Sequence, residues 1–267
     1  MPEIDHASVN RYWESIKSSI LGSYMMDDFG FPANAGDFRF QAESRIVRRL
    51  LSGAQRNGAV LDLGSGVGYW AEEFAHSFLR VVAVEGSNAL YPALEERCAP
   101  YSNIRAIHGN VLSFEPDGRY SLIFLGGLLM YLDEKDVIAL LSKLVHHLGP
   151  DGIILCREST VRGETVTRAD DYPVVYRSVP DYRRIFKQCG LTLKAVEMNE
   201  PYVLMQMGCE LIKKWKRIVP KPLQALPVVG RLTCWVMRLT APLIKPIPKF
   251  LGVEFPILEN HFFTLGA

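Results

Sequence analysis

A short apolar run that ends in an acid and then passes three alternating glycines constrains this chain more than any other stretch. It reads Ala59-Val60-Leu61-Asp62-Leu63-Gly64-Ser65-Gly66-Val67-Gly68. Ala59 to Leu63 fits a buried parallel strand, whose sequence is continuously apolar rather than alternating. Glycines directly after such a strand permit a tight turn and let backbone approach a ligand where a Cβ would block it. From about Tyr69 to His76 the pattern predicts a helix whose positive end faces that turn. Strand, glycine turn and helix in this order call for a parallel α/β sheet with a ligand beyond its strand ends.

The spacing narrows the ligand. A dinucleotide turn follows G-x-G-x-x-G, its third glycine allowing close helix–strand packing while the helix N-terminus holds a pyrophosphate. Here the spacing is G-x-G-x-G, and Asp62 stands two residues before the first glycine, where a carboxylate would oppose an anion. A cofactor carrying an amino group and a sulfonium suits that acid. The next apolar run, Arg80 to Val84, ends in Glu85, 17 residues after Gly68. A carboxylate at the tip of a second strand fits a grip on ribose hydroxyls.

Two further segments follow in order: Ile107-His108-Gly109-Asn110-Val111, then Leu148-Gly149-Pro150-Asp151-Gly152 before Ile153-Ile154-Leu155. With these the chain resembles the class I S-adenosylmethionine-dependent methyltransferases over roughly Gln41 to Glu158. The resemblance implies S-adenosylmethionine as cofactor. It also implies an α/β fold, a Rossmann-like, seven-stranded, doubly wound sheet whose last strand is antiparallel. By the family pattern Asp62, Gly64, Ser65, Gly66 and Gly68 line the methionine part, and Glu85, beside Gly86, binds the ribose. Asn110 stands where the family usually has an acid for the adenine amino group; it keeps an acceptor oxygen without the charge. Val111 either flanks the adenine or belongs to the core. Gly126, after the fourth strand, completes the expected cofactor set.

The alternation of strands and helices supports a doubly wound sheet. Ile104 to His108, Ser121 to Leu125, Gly152 to Arg157, Leu191 to Glu197 and Asn260 to Leu265 read as further strands. Helices are expected over Val9–Ile20, Phe38–Leu51, Lys135–Leu148 and Pro180–Cys189. This gives a helical lid over residues 1–40, a core over 41–205 with 254–267, and an insertion over 206–253. The insertion is unusual: Leu211 to Val253 carries nine Lys or Arg and no Asp or Glu, leaving a net −8 on the rest of a chain of net +1. Six prolines divide it, and Trp215 and Trp235 sit among its apolar residues. Three readings stand: an amphipathic segment at an anionic membrane surface, a packed lid, or a nucleic-acid contact, which the apolar content disfavours.

Five cysteines lie far apart with no C-x-x-C pair, so reduced thiols and a cytoplasmic protein are expected. The polar first residues show no secretory pattern, and no run reaches the roughly 18 apolar residues of a membrane span. No metal-ligand pattern stands out among the six histidines, so metal-independent chemistry is expected.

The acceptor is expected beyond the carboxyl ends of the fourth and fifth strands. Tyr131 either meets it or caps the core. Arg157 and Glu158 follow the fifth strand, and Glu158 is the best-placed carboxylate to orient or deprotonate an acceptor, a surface ion pair being its structural alternative. Tyr176 and Arg177 come before the next helix, and Arg177 suits an anionic acceptor group. Tyr12, Trp13 and Tyr24 are pocket candidates or core aromatics. The expected reaction is in-line methyl transfer to a small-molecule or lipid-linked acceptor, for instance a sugar hydroxyl, with the insertion docking on the inner membrane surface. The alternatives are a non-catalytic methyltransferase-like binding protein and an RNA methyltransferase tethered by the basic segment.

Overall fold

The computed structural model describes residues 4–16, 33–168, 173–206 and 258–267, with the isolated positions 232, 235, 236 and 239. The chain divides into two compact units, one of Met1–Ser18, Leu50–Glu197 and His261–Ala267, the other of Ser19–Arg49 and Met198–Asn260. Along the sequence run α1 (His6–Ser15), α2 (Ala33–Leu50), β1 (Ala59–Leu63), α3 (Tyr69–Ala75), β2 (Arg80–Glu85), α4 (Tyr91–Cys98), β3 (Ile104–His108) and β4 (Tyr120–Gly126). Then come α5 (Glu134–Val145), β5 (Leu148–Val161), β6 (Val166–Arg168), β7 (Val174–Ser178), α6 (Val179–Gln188), β8 (Thr192–Met198) and β9 (Leu258–Gly266).

The first unit is built on parallel strands in the order β3-β2-β1-β4-β5. Its central strands are largely apolar because both faces are covered, with Asp62 and Glu85 near the ends of β1 and β2. Ile123 and Leu125 of β4 join Leu61, Leu63, Ile154 and Phe263 in one core with Val137, Leu141 and Leu144 of α5 and Ile185 and Phe186 of α6. Phe124, pointing the other way, meets Trp70 and Phe74 of α3 at ring distances of 5.0 and 5.2 Å. Each such fully buried side chain contributes roughly 1.5–3 kcal/mol. At the start of α6, Ser178 Oγ accepts from Asp181 N and donates to Asp181 Oδ2, a reciprocal cap behind Pro180.

The expected α/β doubly wound architecture is present, with parallel strands and an antiparallel member. β9 lies between β5 and β8. Two short strands were not anticipated. β6 and β7 pair antiparallel, and β7 pairs with β5 through Thr160↔Arg177 and Val161↔Ser178. The polar run Glu158–Thr160 reads as a strand end, yet β5 continues through it because β7 satisfies its backbone, and all three residues are buried. α1 begins earlier than its apolar pattern suggests because Asp5 caps it, accepting from Ala7 N.

In the second unit, α2 carries a buried ion pair, Arg39 Nε to Glu43 Oε1 at 2.9 Å. Asn199 Nδ2 donates to the same Glu43 oxygen and to Asn260 Oδ1. Tyr24 and most of the basic segment, including Leu211–Val219, lie outside the described residues. Among the described residues no helix is long and apolar enough to cross a membrane.

Candidate active site

The glycine turn is tied to the sheet by its own backbone. Gly64 N and Ser65 N both donate to Val84 O, Gly68 N donates to Ser65 O, and Ser65 Oγ donates to Asp62 O. Gly64, Gly66 and Gly68 have φ of +71°, +56° and +91°, the left-handed region that side chains resist. A Cβ on Gly68 would stand 2.8 Å from Leu94 Cδ1, whereas one on Gly66 would meet nothing within 4 Å. Gly68 is therefore packed on α4, while Gly66 borders open space.

Two acids border the same turn. Asp62 is buried at the end of β1, and its Oδ2 has no hydrogen-bond partner. Burial lifts its carboxyl from the ordinary 3.8 to about 7 against the Ser65 hydrogen bond, and the Glu85 charge adds to the lift. Glu85, at the tip of β2, accepts from Gly66 N through Oε2 and from Ser87 N through Oε1, both at 2.8 Å. Burial raises this carboxyl too, opposed by its backbone donors. Gly86 O lies 3.3 Å from His108 Nε2, and the His108 ring stacks on Tyr91. Asn110 Oδ1 accepts from Leu112 N, fixing the loop after β3, and Val111 packs half-buried against the core. Gly126 pairs with Arg157 at the end of β4.

Several residues at this site escaped the sequence reading. Arg97 of α4 donates from Nε to Val67 O and from Nη1 to Glu72 Oε2, both at 2.8 Å, with its guanidinium 4.0 Å from the Tyr69 ring centroid. A basic residue in the last turn of a helix has an ordinary dipole reading, so nothing local marks it. Ser87 Oγ donates to Trp13 O, and Asn88 N and Nδ2 donate to Glu14 Oε1. Trp13 meets Tyr131 edge-on at 5.3 Å, with Tyr12 edge-on to Trp13 at the same distance. The other end of α1 is held near α5, where Ile4 N donates to Asp133 Oδ1 and His6 Nε2 lies 2.8 Å from Asp136 Oδ2. Position directly after Glu85 was the signal available for Ser87 and Asn88; Glu14 carried none.

Beyond β4, Gly127 leads into a single 3-10 turn, Leu129–Tyr131. Glu158 is completely buried, and its Oε1 accepts from Leu128 N and Leu129 N at 3.1 Å. Its Oε2 has no hydrogen-bond partner. Burial lifts this carboxyl from 4.5 to about 7, opposed by the two backbone donors and by Arg157 and Arg177. Arg177 is buried as well and donates to Leu129 O at 2.7 Å and Leu132 O at 2.6 Å. Tyr131, Glu158 and Arg177 are thus brought together, with Trp13 beside them. Arg157 lies beneath Gly127, whose Cβ would be 3.7 Å from Arg157 Nη1. Tyr176 is buried under the Arg168 guanidinium, facing β6.

The unpaired Asp62 oxygen, the open face at Gly66 and the Glu85 carboxylate fit a cofactor with a positive charge and a ribose. A family model described as AdoMet dependent proline di-methyltransferase matches residues 3–204. The chain belongs to this family of S-adenosylmethionine-dependent methyltransferases. It is 28% identical over 191 residues to phosphoethanolamine N-methyltransferase 1 of Triticum aestivum, covering 70% of this chain and 37% of that protein. It is 25% identical over 193 residues to alpha N-terminal protein methyltransferase 1 of Arabidopsis thaliana, covering 68% and 69%. The chain spans less than half the length of the plant phosphoethanolamine enzymes that it matches. A SAM-dependent methyltransferase of Leishmania major shares the fold, with a TM-score of 0.66 at 13% identity over 97% of this chain and 82% of that one. S-adenosylmethionine is the cofactor of this methyltransferase, and it supplies an electrophilic methyl on a sulfonium.

Proposed function

We propose that this methyltransferase acts on the nitrogen of a small-molecule amine. The observation that carries the reading is the Trp13–Tyr131 pair. These rings hang from two elements that border the cofactor residues, α1 through Ser87 and Asn88, and the turn after β4. Aromatic faces attract an ammonium, the form an amine takes on methylation. The phosphoethanolamine N-methyltransferase among the similar proteins supports a nitrogen acceptor. In this reading Asp62 holds the ammonium of the methionine part and Glu85 the ribose hydroxyls, while Tyr12, Trp13 and Tyr131 wall the acceptor. Catalysis then rests on alignment and exclusion of water, with the amine deprotonated before transfer. Mass spectrometry after incubation with S-adenosylmethionine tests it, with phosphoethanolamine, short peptides and sugars offered in parallel. Methylated amine is the expected product. Methylation confined to a sugar hydroxyl, or none with any of the three, overturns it.

The basic segment favours a second statement, that the enzyme works in the cytoplasm at an anionic membrane surface, where it reaches a lipid-linked amine. Its described positions Leu232, Trp235, Val236 and Leu239 are helical and 58, 60, 44 and 55% exposed. Their spacing of three, four and seven places them on one helix face. Each flanking Lys or Arg adds about 1 kcal/mol near anionic lipid. Co-sedimentation with phosphatidylglycerol vesicles but not with phosphatidylcholine vesicles is expected, weakened by salt and by Trp235→Ala. Equal sedimentation with both vesicle types, or with neither, refutes it.

A further inference from the structure

The backbone between Leu128 and Leu132 is gripped from both ends by buried charged side chains. At its N-terminal end Leu128 N and Leu129 N point at one oxygen, Glu158 Oε1, at 3.1 Å each. At its C-terminal end Leu129 O and Leu132 O receive the two terminal nitrogens of Arg177, at 2.7 and 2.6 Å. Both side chains come from strand ends, Glu158 from the extension of β5 and Arg177 from β7, which pair at Thr160↔Arg177. The turn's own bonds, Tyr131 N to Leu128 O and Leu132 N to Leu129 O, leave Leu128 N, Leu129 N and Leu132 O to be met from outside it, the amides by an acceptor and the carbonyl by a donor. The chain supplies both, in the matching places.

Tyr131 is inside this grip, and its ring is the surface on which Trp13 rests. The next residues, Asp133 and Asp136, hold the first residues of the chain through Ile4 N and His6. The position of the turn therefore sets both the Tyr131 wall and the seat of α1.

We propose that Glu158 and Arg177 are positioning residues, a two-ended clamp on the Leu128–Leu132 turn that fixes Tyr131 and, through it, Trp13 at the acceptor. The assignment of Tyr131 to the acceptor rests on the function proposed above; the clamp itself does not. Neither side chain then touches the acceptor. Glu158 acts by accepting hydrogen bonds and removes no proton from the substrate, and Arg177 binds peptide carbonyls and no acceptor anion.

Glu158→Gln keeps an oxygen that accepts from both amides and cannot act as a base, whereas Glu158→Ala keeps neither property. Amide hydrogen exchange followed by NMR reads the clamp without any acceptor. Leu128 and Leu129 should exchange at least about 10-fold faster in Glu158→Ala and stay within about 3-fold of the parent in Glu158→Gln. Should Glu158→Ala not fold, the glutamine variant still decides the matter. Unchanged Leu128 and Leu129 exchange in the alanine variant, or their deprotection in the glutamine variant, overturns the clamp. With an amine that the enzyme methylates, Glu158→Gln should turn over within about 3-fold of the parent rate. Arg177→Met should raise the acceptor KM about 10-fold with S-adenosylhomocysteine affinity unchanged. A drop in turnover by about 100-fold or more for Glu158→Gln, with both ligands still bound, would make Glu158 the base and end this assignment. If no amine is methylated while the exchange results hold, the acceptor reading fails and the clamp survives.

Discussion

The glycine turn and the Leu128–Leu132 turn follow neighbouring strands, β1 and β4, yet they are held in different ways. The glycine turn closes on itself and on β2 mainly through backbone bonds, with the Glu85 carboxylate at Gly66 N, and its conformation is available because glycines occupy the left-handed positions. The Leu128–Leu132 turn contains ordinary L-residues and is held by side chains 29 to 48 positions away. One turn is a property of its own sequence. The other is a property of the fold around it. In the function proposed above, the first meets a cofactor shared by the whole family and the second meets the acceptor, so that a change in a distant strand can move the acceptor wall.

The sharpest way to break this contrast is to fill the open face of the first turn. Gly66→Arg forces a side chain into the left-handed region and into the space that no atom occupies within 4 Å of its Cβ direction. S-adenosylhomocysteine affinity should fall by more than about 100-fold in calorimetry, with unfolding temperature lowered only slightly, since the strain is confined to one residue. The same substitution at Gly68, where Leu94 is 2.8 Å from the Cβ position, should instead damage the fold. If Gly66→Arg binds the cofactor normally, the turn is not the cofactor site.

That difference also explains how much was legible in the sequence. Asp62, the three glycines and Glu85 announce themselves because a buried strand followed by left-handed turns has few sequence solutions. Glu158 is legible as a carboxylate after a strand, but its direction is not, because the sequence does not mark β7 as the partner that carries β5 onward. Arg177 looked like an anion site for the same reason. Nothing in a one-dimensional pattern shows that two carbonyls wait for it. Arg97, Glu14 and the Ser87–Asn88 pair depend on contacts between segments about 30 and 74 residues apart. Composition and periodicity do not record such separations.

A smaller effect should come from the tie between the glycine turn and α4. Arg97→Ala removes a charged hydrogen bond to Val67 O and the ion pair with Glu72, whose other oxygen is held by Tyr101. The pair is about one-third exposed, so its electrostatic share is screened, and a loss on the order of 1 kcal/mol is expected. Calorimetry should show roughly 5- to 10-fold weaker S-adenosylhomocysteine binding, with the acceptor KM at saturating cofactor unmoved. Arg97→Lys should recover part of it. A shift in acceptor KM instead would mean that the two turns are mechanically linked.

A last comparison separates the two buried acids by pH. Burial raises both Asp62 and Glu158 to about 7, from 3.8 and 4.5. Around Glu158 stand Arg157 and Arg177, with Tyr182 and Cys156 nearby; around Asp62 stand Glu85 and Cys98. The folded protein therefore holds these protons at pH values where the unfolded chain has released them, so stability falls as pH rises from about 4 to about 7 and levels off above. Each group contributes a slope of at most about 1.4 kcal/mol per pH unit within its window. Urea unfolding across pH 4 to 8 should show Asp62→Asn and Glu158→Gln each flattening part of this fall. Saturating S-adenosylhomocysteine should do what Asp62→Asn does, because the cofactor ammonium favours the ionised Asp62, and should leave the Glu158 portion in place. If the cofactor abolishes the Glu158 portion as well, the clamp feels the cofactor directly, and the two turns form one electrostatic unit.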